Sequence, residues 1–477
     1  MRSNAFLLSA IGLLASCAAG PDFHSPAPPA TEAYTPGEQP DVTTPPEGDG
    51  ERQHLLIGGD VDFRWWRLFS SDVLDTLVED ALARSPNVLQ AQALLREAQA
   101  DFSAQVRGTM FPALDAQLGV TREKVDPAAF GIPNVPRTPP FTLYNAQVNV
   151  SYTFDLFGAN RRLIEGAHAR AEYQAYEAQA TELTLAANVV SAAIRRVDLQ
   201  TQIDHTDAML QVQARQLAIS EERYRVGGIA LEVLQDQRGQ LEQLRASLPL
   251  LRVQLQQIEH QLAVYTGNPP AERVPPSMRL RDLRLPAEVP LTLPSELVRK
   301  RPDIRASEAL WHQASADLGL ATANMFPQLT LAGMAGSERT HAREIVDGTN
   351  VWSIGARLMQ PIFHAGELRA KRQSAVAAYE AAAQAYEQAV LSALQQVADS
   401  LRALEGDAIA LQARTRAAEW SSSSLMIAQQ RYAAGGISEF SLLDVQRQAL
   451  QAVLDQDRAR AQRYLDTTAL LHALAGK

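Results

Sequence analysis

The sequence predicts a mixed α and β chain of two tandem structural repeats, in which very long coiled-coil helices alternate with short strands. Three observations carry that prediction. Motifs recur at a spacing near 210 residues: Ser85-Pro86-Asn87-Val88 with Arg301-Pro302-Asp303-Ile304 at 216, and Phe111-Pro112 with Phe326-Pro327 at 215. Arg223-Tyr224 to Gly227-Gly228-Ile229 matches Arg431-Tyr432 to Gly435-Gly436-Ile437 at 208, and Asp236 matches Asp444 at the same offset. A period that long is a duplicated domain rather than a solenoid of short repeats. Apolar residues between these motifs step by three and four, the heptad of a coiled coil. Two further stretches per repeat switch to a period of two, the signature of a strand with unlike faces.

The N terminus comes first. Arg2 precedes an apolar stretch, Ala5 to Ala15, the core of a signal peptide spanning residues 1–16 and too short to cross a bilayer. It ends in Leu14-Ala15-Ser16-Cys17, which resembles a bacterial lipobox, with the single cysteine of the chain at the position that is cut and lipidated. Several acyl chains on Cys17 would anchor the protein stably, where one chain alone binds only marginally. Ala18 follows, where an aspartate would resemble an inner-membrane retention signal. One cysteine also excludes disulfide scaffolds and cysteine-based zinc sites. Residues 17–60 read as a lipidated tether, with eight prolines between 21 and 50.

The first repeat then covers 61–266: a helix over about 85–110, a β-hairpin over 113–155, a long helix over 158–226 and another over 229–266. A proline-rich connector, 267–294, carries seven prolines from 269 onward. The second repeat, 295–477, has helices near 301–325 and 437–474, a hairpin over 327–362 and a long helix over 366–434. A helix of 69 residues reaches about 100 Å, and no compact globular domain needs that length. Its heptads include Leu183, Ala187, Val190, Ile194 and Val197, and Val397, Leu401, Leu404, Ala408 and Leu411. A third set runs from Leu241 to Tyr265, and Pro249 should kink it.

From Tyr144 to Asp155 every even residue is apolar and every odd one polar; Leu114 to Thr121 alternates likewise, Trp352 to Leu358 less cleanly and Gln328 to Ser337 least. The polar faces carry Asp115, Gln117, Asn145, Gln147, Asn149 and Arg357, which a dry core would not tolerate and a water-filled lumen would. Phe111, Phe141, Phe157, Phe326 and Phe363 bracket the strands as membrane-interface girdles do. No apolar run of 18 residues occurs, so a membrane crossing must be a barrel. Four strands cannot close one alone, because the smallest such barrels have about eight. Several chains must share it.

These features together resemble the outer membrane factor family, the TolC- and OprM-like exit ducts, and within it the lipoprotein branch of NodT-type efflux subunits. The matching stretches are Cys17 with Gly20-Pro21-Asp22-Phe23, Trp65-Trp66, Phe154-Asp155-Leu156-Phe157-Gly158, Pro294-Ser295-Glu296-Leu297, Arg301-Pro302-Asp303-Ile304-Arg305, Pro361-Ile362-Phe363 and both Gly-Gly turns. The resemblance implies a homotrimer. Its three chains would build a 12-stranded transmembrane β-barrel in outer membrane lipid and a periplasmic α-barrel of 12 helices. It also implies two partners, a periplasmic adaptor (membrane fusion) protein and an inner-membrane transporter. The turns at Val226, Gly227 and Gly228 and at Ala434, Gly435 and Gly436 would contact the adaptor, and paired glycines suit a tight turn between helices. Phe440, Asp444 and Arg447 fall where the family places its periplasmic gate; in a trimer each becomes a ring of three. A bulky apolar ring blocks hydrated solutes and a carboxylate ring selects cations. Other members carry a further aspartate where this chain has Ser441, so one acidic ring should select more weakly than two.

No enzyme and no cofactor is expected. The nine histidines form no HExxH or HxxxH pair, and no Walker A, GxGxxG or Gly-x-Ser-x-Gly sequence occurs. A net charge of −10 argues against general nucleic-acid binding. Trp65-Trp66 reads as an anchor packing the N-terminal segment rather than a substrate-stacking site. The expected function is an outer membrane exit duct of a tripartite efflux pump, passing small toxic molecules. The alternatives are a duct for a type I protein or peptide secretion system, and a periplasmic coiled-coil scaffold with no pore.

Overall fold

The computed structural model describes residues 19–31, 33–36, 42–43, 53–124, 139–272 and 278–476. Cys17 and the signal peptide therefore lie outside the described residues. In chain order the helices are α1 (Asp72–Arg84), α2 (Pro86–Met110), α3 (Ala159–Arg225), α4 (Leu231–Tyr265), α5 (Pro294–Lys300), α6 (Pro302–Ala323), α7 (Glu367–Ala433) and α8 (Glu439–Leu474). The strands are β1 (Val42–Thr43), β2 (Gln53–Ile57), β3 (Ala113–Glu123), β4 (Phe141–Phe154), β5 (Glu288–Leu291), β6 (Gln328–Arg339) and β7 (Val351–Met359). The duplication is plain in the elements: α3 and α7 are each 67 residues long. Both α2 and α6 open on a proline, which costs nothing at a first helical position whose N–H has no partner. Among the described residues no helix is long and apolar enough to cross a membrane.

The chain divides into two compact units. The first takes its described residues from 19–26, 94–174 and 306–386, and holds an antiparallel sheet ordered β3-β4-β6-β7. Its first hairpin is β3 with β4 and its second β6 with β7; β4 against β6 joins the two repeats.

The second unit, residues 27–93, 175–305 and 387–477, contains the main hydrophobic core. Trp65, Trp66, Phe69, Leu74, Val78, Ile194, Leu262, Leu297, Leu404 and Leu470 are all essentially inaccessible there. Trp65 meets Trp66 edge-on at 6.2 Å, and the Trp66 indole donates to Asp75 at 2.8 Å. The pair is a core anchor with no face left for a substrate. In this region α3 buries Leu183, Leu185, Ala186, Ala187, Val189, Val190, Ala192, Ala193 and Ile194, far more than a heptad seam requires. A heptad predicts one buried stripe; here the core wraps the helix, and its alanines let neighbours approach.

Two segments differ from the sequence reading. Gln53–Ile57, inside the expected tether, is strand β2 and pairs in parallel with β5, inside the expected connector. Leu55, Val289 and Leu291 bury their side chains in the core. A parallel partner more than 200 residues away leaves no local pattern to read. Pro249 sits within α4 without ending it, and its side is exposed.

Candidate functional site

The four-stranded sheet of the first unit has two unlike faces. Register decides its faces. Asp115 stands opposite Asn149, Gln117 opposite Gln147, Ser151 opposite Ala332 and Thr330 opposite Arg357. On the other face Leu118 meets Ala146, Val148 meets Ala335, Tyr152 meets Leu331, and Leu329 meets Leu358. The alternation visible strand by strand is thus in phase across all four. The polar side is knitted by Gln147 donating to the Gln117 side chain at 3.1 Å and by a Thr153–Thr330 hydroxyl contact of 3.1 Å. Among the described residues of the protomer nothing covers the apolar side. Leu118 is 84% exposed, Ile354 80% and Trp352 74%. Such a contiguous apolar face marks a membrane or a partner, not water. At the foot of the strands Phe157 stacks on Phe326, centroids 4.9 Å apart. Among the described residues, edge strands β3 and β7 each have a single neighbour.

The segment after Cys17 is fixed to the same unit. The Ala19 amide donates to the Phe157 carbonyl at 2.9 Å. Arg162, buried, donates to the Ala19 carbonyl at 3.3 Å and pairs with Asp22 at 2.8 Å and Glu165 at 2.7 Å. Gly20, at φ +91°, lies so close to Gly319 that a Cβ there would stand 2.5 Å from the Gly319 Cα. Phe23 stacks on His312 at 4.6 Å and meets Trp311 edge-on at 5.5 Å, while His312 contacts Glu165 at 3.0 Å. The chain two residues past Cys17 is therefore held at the foot of the strands. The role of Arg162 and Gly319 was not evident from sequence, since their partners lie some 140 and 300 residues away.

In the second unit, the two Gly-Gly turns share one geometry. Gly227 and Gly435 have φ of +77° and +75°. The Gly228 amide donates to the Arg223 carbonyl, and Gly436 to Arg431, each at 2.7 Å; Gly227 donates to Tyr224, and Gly435 to Tyr432, each at 2.9 Å. This is the Schellman closure of a helix C-terminus, which needs the left-handed conformation glycine adopts without strain. Val226 and Ala434 are exposed. The following helices differ: Ser438 caps α8 by accepting from the Ser441 amide at 3.2 Å, whereas Ala230 gives α4 no side-chain cap.

Of the expected gate residues, two are in contact. Arg447 donates to Asp444 Oδ1 at 2.9 Å, and Gln448 donates to Oδ2 at 2.9 Å. Phe440 lies half-buried in the first turn of α8; its carbonyl accepts from Gln216 on α3 at 3.5 Å, and Glu439 pairs with Arg215 at 2.8 Å. Among the described residues no cluster of His, Cys, Asp or Glu could hold a metal ion.

A family model described as outer membrane efflux protein matches residues 77–268 and 293–476. The pyoverdine export outer membrane protein OpmQ of Pseudomonas putida is 30% identical over 420 residues, 87% of this chain and 88% of its own. Outer membrane protein OprJ of Pseudomonas aeruginosa is 27% identical over 491 residues, with 100% of this chain and 97% of its own covered. Among solved structures, the outer-membrane channel OprN is similar with a TM-score of 0.80 and 27% identity, over 97% of this chain and 99% of that one. The open state of the Neisseria gonorrhoeae MtrE channel has a TM-score of 0.76 at 24% identity, over 96% and 98%.

Proposed function

The chain belongs to the outer membrane efflux protein family, and from that membership we propose that three copies form the exit duct of a tripartite efflux pump for small toxic molecules. The chain is an outer membrane efflux channel protein that extends into the periplasm. Channels of this family are trimeric and work with an adaptor and an inner-membrane pump. The observation that carries the reading is the two-faced sheet. Its apolar side suits lipid, its polar side suits a wet lumen, and its open edges need further copies.

The finer parts of the reading follow from residue positions. Lipid on Cys17 would enter the membrane beside the foot of the barrel, because Ala19 is tied there. The exposed turns at Val226–Gly228 and Ala434–Gly436 offer backbone and small side chains to the adaptor's tips. Phe440, Asp444 and Arg447, each tripled, form the periplasmic gate. Removing the gene should lower the cell's tolerance of small toxic compounds and re-expression should restore it. Unchanged tolerance together with a lost secreted polypeptide would favour the protein-secretion alternative.

A further inference from the structure

The junction between β4 and β6 joins the two repeats inside one chain, and the Phe157–Phe326 stack closes its foot at 4.9 Å with the rings 17° from parallel. The duplication supplies a second pair of the same kind. Phe326-Pro327 before β6 corresponds to Phe111-Pro112 before β3, and Asp155-Leu156-Phe157 after β4 corresponds to Pro361-Ile362-Phe363 after β7. These two segments flank the two open edges of the sheet. Their rings are bare: Phe111 is 64% exposed and Phe363 85%, beside Met110 at 60% and Ile362 at 93%.

We propose that Phe363 of one copy stacks on Phe111 of the next, an aromatic clasp that repeats the internal Phe157–Phe326 stack between subunits and sets the register of barrel closure. The inference rests on the trimeric duct. The internal junction supplies the register. Phe154 faces Leu329, Tyr152 faces Leu331 and Gln147 faces Gly336. Carrying these pairs across the repeat places Gln360 opposite Leu114 of the next copy, Leu358 opposite Ala116 and Ser353 opposite Thr121. A slip of one residue would turn every side chain to the wrong face, so the competing registers are those displaced by two. In the proposed register Ala356 and Ile354 lie against Leu118 and Val120 of the next copy, keeping the apolar band continuous. Arg357 faces Gln117 on the polar side, with Asp115 of the next copy one diagonal away, within reach of so long a side chain.

The test uses the full chain in outer membrane vesicles. Its one native cysteine, Cys17, leaves introduced pairs easy to assign against the parent. Under oxidation, Ser353→Cys with Thr121→Cys should give covalent dimers and trimers. Ser353→Cys with Glu123→Cys, and Arg357→Cys with Asp115→Cys, are each displaced by two and should give less by on the order of fivefold, since diagonal Cβ atoms lie too far apart for a disulfide. A displaced pair that links better overturns the register. If none links while an amine-reactive reagent still traps trimers, the closure is wrong and the duct stands. If that reagent traps no trimer, the duct reading falls and takes the clasp with it. Separately, Phe111→Ala and Phe363→Ala should each lower the temperature at which the trimer dissociates in detergent, and the double variant no further than the worse single one. Fully additive losses would show two rings that face lipid independently.

Discussion

Asp407 on α7 carries a carboxyl pushed up to about 7, first by burial and then by Asp466 on α8, with Arg463 opposing. A carboxyl whose folded pKa lies above its ordinary 3.8 stabilises the fold at acid pH and loses that contribution as pH rises through about 7. Asp407→Asn should therefore flatten the fall in melting temperature between about pH 4 and pH 7. An unchanged profile would contradict the assignment. His472 is displaced the other way, down to about 4, by burial and by the nearby Arg301 guanidinium. Its contribution is present above 6.5 and lost as pH falls through about 4, with a ceiling of about 3 kcal/mol for a shift of this size. His472→Gln should keep more of its melting temperature at pH 4.5 than the parent does. Neither group stands out in the sequence. Asp407 is one of many acidic residues on a long helix, and only its partner 59 residues further on makes it unusual.

At the scale of the element, the tips and the N-terminal segment make separable predictions. A Cβ on Gly435 would meet nothing within 4 Å, so the cost of Gly435→Ala is conformational alone, about 1 kcal/mol. Ser438→Ala should cost about 1 kcal/mol through loss of the α8 cap, and Ala230→Ser at the N-cap of α4 should gain part of such an increment. Thermal denaturation checks all three. Docking needs a probe that spares the turn. Gly436 is a poor choice, since its Cβ would press to 3.3 Å from the Arg431 carbonyl. Ala434→Glu keeps the Schellman closure and should block pump assembly while trimers still form; normal efflux in that variant would count against docking at this turn. Gly20→Val should release residues 19–25 from the sheet unit, read as faster amide exchange there, because both φ and the contact with Gly319 forbid a side chain. Much of this was legible beforehand. Heptads gave the long helices to within two residues, and alternation gave the strands β3, β4 and β7. The weaker alternation of β6 reflects its small residues Ala332, Gly333, Ala335 and Gly336, whose faces only register reveals. Strand β2 was not legible, because its partner β5 lies across the whole first repeat.

For the whole molecule, one chain is an incomplete object. Its sheet exposes a lipid-type face with two open edges, and its gate candidates become rings only when copies assemble. The bonds within a protomer bear on the proposed gate. Asp444 already has both carboxylate oxygens engaged by Arg447 and Gln448, so its ring should select cations only modestly. Asp444→Ala should reduce that modest preference, and Phe440→Ala should widen the constriction. The most direct measurement is single-channel conductance of purified trimers in planar bilayers, parent beside Phe440→Ala. A gated duct should give discrete conductance steps from the parent and larger ones from Phe440→Ala. Trimers that insert and conduct nothing, with either sequence, would contradict a duct and leave the coiled-coil scaffold as the reading.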